Sequence, residues 1–510
     1  MTLDGHPRGA SLDRVAGGEV DLLVIGAGVV GAATALAAAA AGARVAVVDR
    51  GDVAGATSSA SSKLLHGGLR YLGMGDVALV RQSHAERQAN ARVLAPHLAR
   101  PMTFMVPVRE SSPLPLWKVR AGVAAYTALA RWMDGRSGRV TAVDARRRVP
   151  ALRLDGLQGI VAYHDHVTHD ARLTLTVLQE AARRGADVLN HAEVMELRTV
   201  GGRIVGAELV DRLGGGAFGI SARAVVNATG PWVDTVRRLE SPSAGTSVRL
   251  SKGVHLLLRS SDGWSAAVTT PLENGRVSFA IPWEEMLLLG TTDDPFDGDP
   301  DGVTATAADE ARVLAEAAES LDAELLMRER VVGRLAGLRV LPLSAAATSR
   351  VHRETVMSCG PAGMITVAGG KLTMWRLIGR DAARMALDPI GLGRARVPDR
   401  PLPGAAVPET VERALFRRHP ELAGDVRRNL VRHYGTLSFD LLRAGREDAR
   451  LVQRIHPDGP DIWAQVRQAV RREWAATVDD VLQRRTTVAL RGHADQQVRE
   501  RVARMLADAA

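Results

Sequence analysis

Between residues 57 and 72 the chain reads TSSASSKLLHGGLRYL, which sets Lys63, His66, Gly67, Gly68, Arg70 and Tyr71 within nine residues. Serine and glycine let a backbone approach a flat ligand closely, while Lys, His and Arg are costly to bury without an anionic partner. Together these types suit the grip on an extended, negatively charged ligand beside a reactive centre. A polar surface loop is the other reading of the same residues. More reactive types follow: His255 in the alternating stretch 248–260, Arg339 in Gly337-Leu338-Arg339, Arg350, and Lys371 after Gly369-Gly370. A histidine can take a proton near neutral pH, and cations presented at glycine turns can meet an anionic substrate. His164, His166 and His169, in HDHVTHD, invite a metal site. Their spacing is not that of a helix face, and no metal is expected.

These groups need elements to hold them. Residues 21–50, DLLVIGAGVVGAATALAAAAAGARVAVVDR, read as strand, tight turn, helix, strand. Gly26, Gly28 and Gly31 form G-x-G-x-x-G directly after the apolar run 22–25. The first glycine permits the turn, the second admits a pyrophosphate, and the third lets helix pack on strand. The pyrophosphate then meets the free N–H groups of the helix N-terminus. Asp49 ends the second strand, placed to accept hydrogen bonds from ribose hydroxyls. Residues 22–43 carry no charge, long enough for a bilayer span. Their alanines and glycines carry little transfer energy, so they read as a buried strand and helix instead.

At 510 residues the chain is long enough for two to four domains. A lone cysteine, Cys359, excludes an internal disulfide and fits a reducing, cytoplasmic setting. Residues 1–18 lack the apolar core of a secretion signal and are expected to be a mobile leader. The net charge is +9, but the arginines are dispersed among acids, with no aromatic-interleaved basic stripe, so nucleic acid is not expected as a partner. Strands are expected at 186–189, 204–209, 224–227, 248–260, 277–292 and 364–371, and helices at 75–99, 170–184 and from Met374. The stretch 113–148 reads as an insertion. A body over 19–388, a linker over 389–408 (Pro/Gly-rich from 397) and a helical, arginine-rich domain over 409–510 complete the division.

The segments DLLVIGAGVVGAATALAAAAAG, TSSASSKLLHGGLRYL, VVNATGPWVD, SKGVHLLL, IPWEEMLLLGTTD, LAGLRVLP, AGGKLTMWR and DDVLQRRT occur in an order that resembles FAD-dependent glycerol-3-phosphate dehydrogenases of the quinone-linked type. The resemblance runs from about residue 21 to 486. It implies an α/β fold: an FAD-binding Rossmann-like domain from non-contiguous segments, an antiparallel substrate-binding sheet and a C-terminal helical cap. It implies noncovalent FAD, with Gly26, Gly28, Gly31 and Asp49 on the ADP half. Ser61, Ser62, Lys63, Leu64, His66 and Gly67 would lie along the pyrophosphate and isoalloxazine, with Gly370, Lys371, Leu372 and Thr373 near the flavin ring. Arg70, Tyr71 and Arg350 would bind substrate, and His255, Arg339 and Lys371 would be catalytic.

The implied reaction is oxidation of sn-glycerol 3-phosphate to dihydroxyacetone phosphate, by hydride loss from C2 to flavin N5 and proton loss from the hydroxyl. The implied electron acceptor is a membrane quinone. The paired arginines Arg427-Arg428, Arg471-Arg472 and Arg484-Arg485 are candidates for peripheral contact with anionic lipid. The oligomeric state stays open, a homodimer included. The chain departs from the family pattern at Val351-His352-Arg353 and at Met374-Trp375, both adjoining the pocket. An FAD-dependent amino-acid or 2-hydroxy-acid oxidase remains the alternative, and a non-enzymatic flavin-binding protein the third reading.

Overall fold

The computed structural model describes residues 8–73, 75–260, 263–343, 355–393 and 399–508. Arg350 and the 351–353 departure lie outside them. The strands Glu19–Ile25 and Val45–Val48 are unbroken apolar runs, as strands covered on both faces are, and they pair in parallel from Leu22–Val45 to Ile25–Val48. Ala217–Asn227 and Ile365–Gly369 extend the parallel sheet on one side and Asp187–Leu189 on the other. Thr355–Cys359 and the hairpin Ala192–Val200/Arg203–Asp211 join it antiparallel, giving eight strands among the described residues. The period-two alternation splits the first strand between two cores. Leu22 and Val24 pack under the helices Val29–Ala40, Asp170–Arg183 and Trp375–Leu387, while Leu23 and Ile25 pack under the antiparallel hairpin. The alanine run has a steric cause: a Cβ on Gly379 would stand 2.4 Å from Ala33, so the two helices meet nearly backbone to backbone.

A second sheet of ten described strands is largely antiparallel. Near one end of it Val248–Arg259 pairs with Val331–Pro342 on one side and Met286–Gly290 on the other. The expected strand 277–292 is a hairpin, Val277–Trp283 and Met286–Gly290, turning at Glu284 and Glu285, which both take positive φ. The stretch 113–148, expected as an insertion, contributes to the core instead. Helix Leu116–Leu129 packs Val119, Val123 and Tyr126 against this sheet.

The expected leader is partly structured too. Arg8–Val15 is a helix with Val15 buried, tied down by an Arg8–Asp211 ion pair at 2.6 Å. Toward the C-terminus, helices Pro408–Arg418, Gly424–Tyr434, Ser438–Arg443, Trp463–Arg472 and Gln496–Ala507 share a core that includes Leu415, Leu430, Ile462, Val466 and Val502. Among the described residues no helix is long and apolar enough to cross a membrane.

Candidate active site

The turn after Glu19–Ile25 is built as its glycines require. Gly26 sits at φ +106°, and a Cβ there would lie 2.6 Å from the Ala228 carbonyl oxygen; a Cβ on Gly31 would lie 1.8 Å from the Gly26 carbonyl oxygen. Gly28 precedes helix Val29–Ala40, whose first N–H donates to Ser58 Oγ at 2.9 Å. Asp49 accepts from the backbone N–H of Ala27 at 2.7 Å and of Gly51 at 2.8 Å, and burial pushes its carboxyl above the ordinary range.

From there the 57–72 segment crosses to the second sheet, pinned along its length by side chains far away in sequence. Thr57 Oγ1 donates to the Leu338 carbonyl at 2.8 Å. Asp170 Oδ2 accepts from Ser61 N at 3.1 Å and Ser61 Oγ at 2.7 Å, and Asp170 Oδ1 accepts from Lys63 Nζ at 2.7 Å. Leu64–Leu65 pairs with His166 and Val167. His66 N donates to Thr373 Oγ1 at 3.0 Å, and that hydroxyl donates back to the His66 carbonyl at 3.1 Å. Gly67 N donates to Asp165 Oδ1 at 3.3 Å. A Cβ on Gly67 would lie 2.3 Å from the His84 ring, so only glycine fits. Asp165 is fixed in turn by Arg87 and by the Tyr126 hydroxyl at 2.9 Å.

HDHVTHD is therefore the anchor of this loop. Its two aspartates hold the loop at either end, and His169 Nδ1 caps the next helix by accepting from Arg172 N at 3.3 Å. Neither aspartate is singled out from sequence as a site residue; the signal is the charged motif itself, which invites a metal site only to be set aside by its spacing.

The reacting end gathers around His255, which is buried with Nε2 2.9 Å from Ser62 Oγ. Among the described residues its Nδ1 is buried and has no hydrogen-bond partner. Burial, aided by Arg339 and Lys63, pushes its pKa down to about 3, so the ring is neutral at physiological pH. Arg339 donates to the Thr292 carbonyl at 3.0 Å, to Thr291 Oγ1 at 3.0 Å and to Asp293 Oδ1 at 3.1 Å. Lys371 follows two glycines at positive φ; its Nζ donates to Ser83 Oγ at 3.4 Å and lies 4.8 Å from the centre of the Tyr71 ring. Arg70 lies on the short helix Leu69–Gly73.

One cavity of about 1540 Å³ joins these parts. Of the residues expected at the site, Gly26, Gly28, Asp49, Ser61, Ser62, Leu64, His66, Tyr71, His255, Arg339, Gly370, Lys371 and Leu372 line it. Gly31, Gly67 and Thr373 stand behind its wall as supports. Lys63 requires a correction. Its side chain is 1% exposed and is held by Asp170 and the Ser59 carbonyl, so its ammonium anchors the loop rather than lying along a ligand. Arg484 and Arg485, expected to face lipid, are instead buried against Asp52. At the Met374-Trp375 departure, Met374 Sδ accepts from Ser83 Oγ and Trp375 Nε1 donates to Asn90, so both serve packing.

A family model described as FAD dependent oxidoreductase matches residues 21–383, and one described as the C-terminal domain of alpha-glycerophosphate oxidase matches 396–510. A glycerol-3-phosphate dehydrogenase of Mycobacterium leprae is 34% identical over 504 residues, covering 96% of this chain and 84% of that protein. The chain belongs to the FAD-dependent glycerol-3-phosphate dehydrogenase family. Glycerol-3-phosphate dehydrogenase 2 of Mycobacterium tuberculosis is 33% identical over 498 residues, covering 95% of this chain and 83% of that one. The crystal structure of the Bacillus halodurans glycerol-3-phosphate dehydrogenase with FAD superposes with a TM-score of 0.78 at 29% identity, over 98% of this chain and 92% of that one.

The cofactor of this dehydrogenase family member is FAD, and the residues present fit it. Glycines leave room where a Cβ would fill the turn, an acid stands at the end of the second strand, and the cavity runs on from there to His255 and Lys371.

Proposed function

We propose that the protein oxidises sn-glycerol 3-phosphate to dihydroxyacetone phosphate. FAD, when bound, supplies the hydride acceptor for C2. His255 is the base: neutral, buried and oriented by Ser62, it takes the proton of the C2 hydroxyl, a contribution of about 10²–10⁴-fold. Arg339 and Lys371 bind the phosphate, with Tyr71 packed under the Lys371 ammonium and Asp293 and Thr291 fixing the Arg339 guanidinium. By the resemblance, Arg70 and Arg350 would also bind substrate in this reading; Arg350 lies outside the described residues. The observation that carries it is the convergence of one neutral, buried histidine and two cations on a single dinucleotide-sized cavity.

An amino-acid or 2-hydroxy-acid oxidase would need a carboxylate clamp and less positive charge. A substrate panel with an artificial electron acceptor tests the choice: glycerol 3-phosphate should be turned over, and preference for an amino acid or 2-hydroxy acid would reject the reading.

We further propose a membrane quinone as acceptor, reached from the cytoplasmic face by peripheral docking. Helix Leu116–Leu129 supports this better than the C-terminal arginines do. Residues 111–133 contain Lys118, Arg120 and Arg131 and no acid, and Trp117 and Trp132 are 66% and 58% exposed. The same helix lines the cavity with Val119 and Val123. Indole rings and cations without acids suit an anionic bilayer surface. Co-sedimentation with anionic vesicles should be lost in Trp117→Ala/Trp132→Ala and at high salt; binding to neutral vesicles alone would contradict it.

A further inference from the structure

The arginine pair at 484–485 faces inward: Arg484 lines the dinucleotide end of the cavity, and Arg485 is buried behind it against Asp52. Asp52 lies three residues past Asp49 and is buried. Arg484 Nε donates to its Oδ2 at 2.5 Å, Arg485 Nη2 donates to its Oδ1 at 2.8 Å, and Asn190 Nδ2 donates to the same oxygen at 3.2 Å. Asp480, one helical turn earlier, contacts His191 Nε2 at 3.0 Å and accepts from Arg484 at 3.1 Å. The ligand atoms of Asp52, His191 and Asp480 lie within 4.8 Å of one another, close enough for a metal ion. Two guanidiniums already neutralise Asp52, and that removes the case for one.

The location of this cluster is what matters. Asp52, His191, Asp480 and Arg484 line the same cavity as Gly28 and Asp49. Two of those wall residues come from the C-terminal helical region, more than 400 residues along the chain from Asp49. A second buried lock joins the same region to the 57–72 loop. Arg172 donates to Glu473 at 2.7 Å, to the Tyr434 hydroxyl at 3.1 Å and to the Arg485 carbonyl at 3.0 Å. It stands two residues past Asp170, which holds Ser61 and Lys63.

We propose that the C-terminal helical region is part of the FAD site. Arg484 and Asp480 close its adenosine end, and the pairs Asp52–Arg485 and Arg172–Glu473 position the turn and loop that hold the cofactor. Occupancy and docking are then linked, because a ligand that touches only the docked arrangement stabilises docking by its own binding free energy. The inference rests on the dinucleotide reading of the cavity, and ADP separates the two: it carries the adenosine and pyrophosphate without the flavin.

Hydrogen exchange of the full-length, deflavinated protein with and without ADP is the test. ADP should slow exchange at residues 26–31 and also at 478–487. Protection confined to 26–31 overturns the proposal while leaving the dinucleotide site intact, and no protection at 26–31 overturns the dinucleotide reading itself. Arg484→Met should weaken ADP and FAD by a similar factor, roughly tenfold, the size of one charge-assisted contact. Arg484→Lys should recover part of that loss. Unchanged affinity for both ligands in Arg484→Met would remove Arg484 from the site.

Discussion

Replacing Asp170 by asparagine removes one charge from the most enclosed ion pair near the site. Lys63 and Asp170 have side-chain exposures of 1% and 0%, with Nζ 2.7 Å from Oδ1. Such a pair adds little net stability compared with an apolar pair of the same shape, but removing one partner strands the other, at about 3–5 kcal/mol. Asparagine also presents an N–H₂ where an oxygen now accepts from either Lys63 or Ser61. One orphaned buried donor adds roughly 1–3 kcal/mol. Local relaxation absorbs part of this, so a loss near 4 kcal/mol is a reasonable centre within the range of about 3–5.

Because Ser62, the partner of His255, lies between the two anchored residues, the damage reaches the flavin loop first. The assay pairs the thermal midpoint of the full-length holoenzyme with the rate of FAD release, read as recovered flavin fluorescence. Asp170→Asn should lower the midpoint and speed release. The double variant Lys63→Met/Asp170→Asn should regain part of both, since it no longer buries a lone ammonium. A single-variant loss under about 1 kcal/mol, the size of an exposed pair, would refute the argument, as would a double variant no better than Asp170→Asn.

His255→Asn should retain FAD yet slow anaerobic single-turnover flavin reduction by about 10²–10⁴-fold; near-normal reduction would remove His255 as the base. Lys371→Ala and Arg339→Ala should each cost a few kcal/mol, about 1.5–3, in kcat/KM for glycerol 3-phosphate. Their effect should be much smaller with glycerol, and equal losses with both substrates would place these cations elsewhere than on the phosphate. Acid should destabilise the fold. His84, His97 and His255 are pushed down to about 3 and His166 to about 4, burial being the leading cause in each. Their stabilising contribution is complete above the ordinary value near 6.5 and is lost as pH falls from there toward about 3, or about 4 for His166, because the unfolded chain takes up the protons first. Each contributes up to about 1.4 kcal/mol per pH unit in that window, so the urea midpoint should drop between pH 7 and pH 5; a flat or rising midpoint would contradict the burial assignments.

What could be read from the sequence was local chemistry. Gly26 is legible because its positive φ leaves no room for a Cβ, Gly31 because a Cβ would strike the Gly26 carbonyl, and Gly369 and Gly370 because both take positive φ. Asp49 is legible from its place at the end of the second strand. His255 is legible as a candidate only through the resemblance of SKGVH to the family, since an alternating strand by itself favours an ordinary histidine, and its neutrality depends on burial that no local pattern states. The loop anchors were illegible for a different reason. Asp165 and Asp170 act on residues about a hundred positions earlier, and a string of His and Asp reads equally well as a metal site.

Lys63 misled in the opposite sense, since a lysine in a glycine-rich loop suggests an anionic ligand until its acid partner is found. Arg484 and Arg485 show the same ambiguity, because a basic pair on a helical stretch looks alike whether it faces lipid or a buried carboxylate. The stretch 113–148 reads as inserted because its aromatics are scattered among many arginines; in the fold Tyr126 packs on the sheet while Trp117 and Trp132 are exposed.

The most direct measurement of the central claim is anaerobic mixing of the full-length holoenzyme with single substrates while flavin absorbance is followed. Glycerol 3-phosphate should bleach the flavin in one fast phase, glycerol far more slowly, and amino or 2-hydroxy acids not at all. Fast bleaching by an amino or 2-hydroxy acid, with none by glycerol 3-phosphate, would contradict the account.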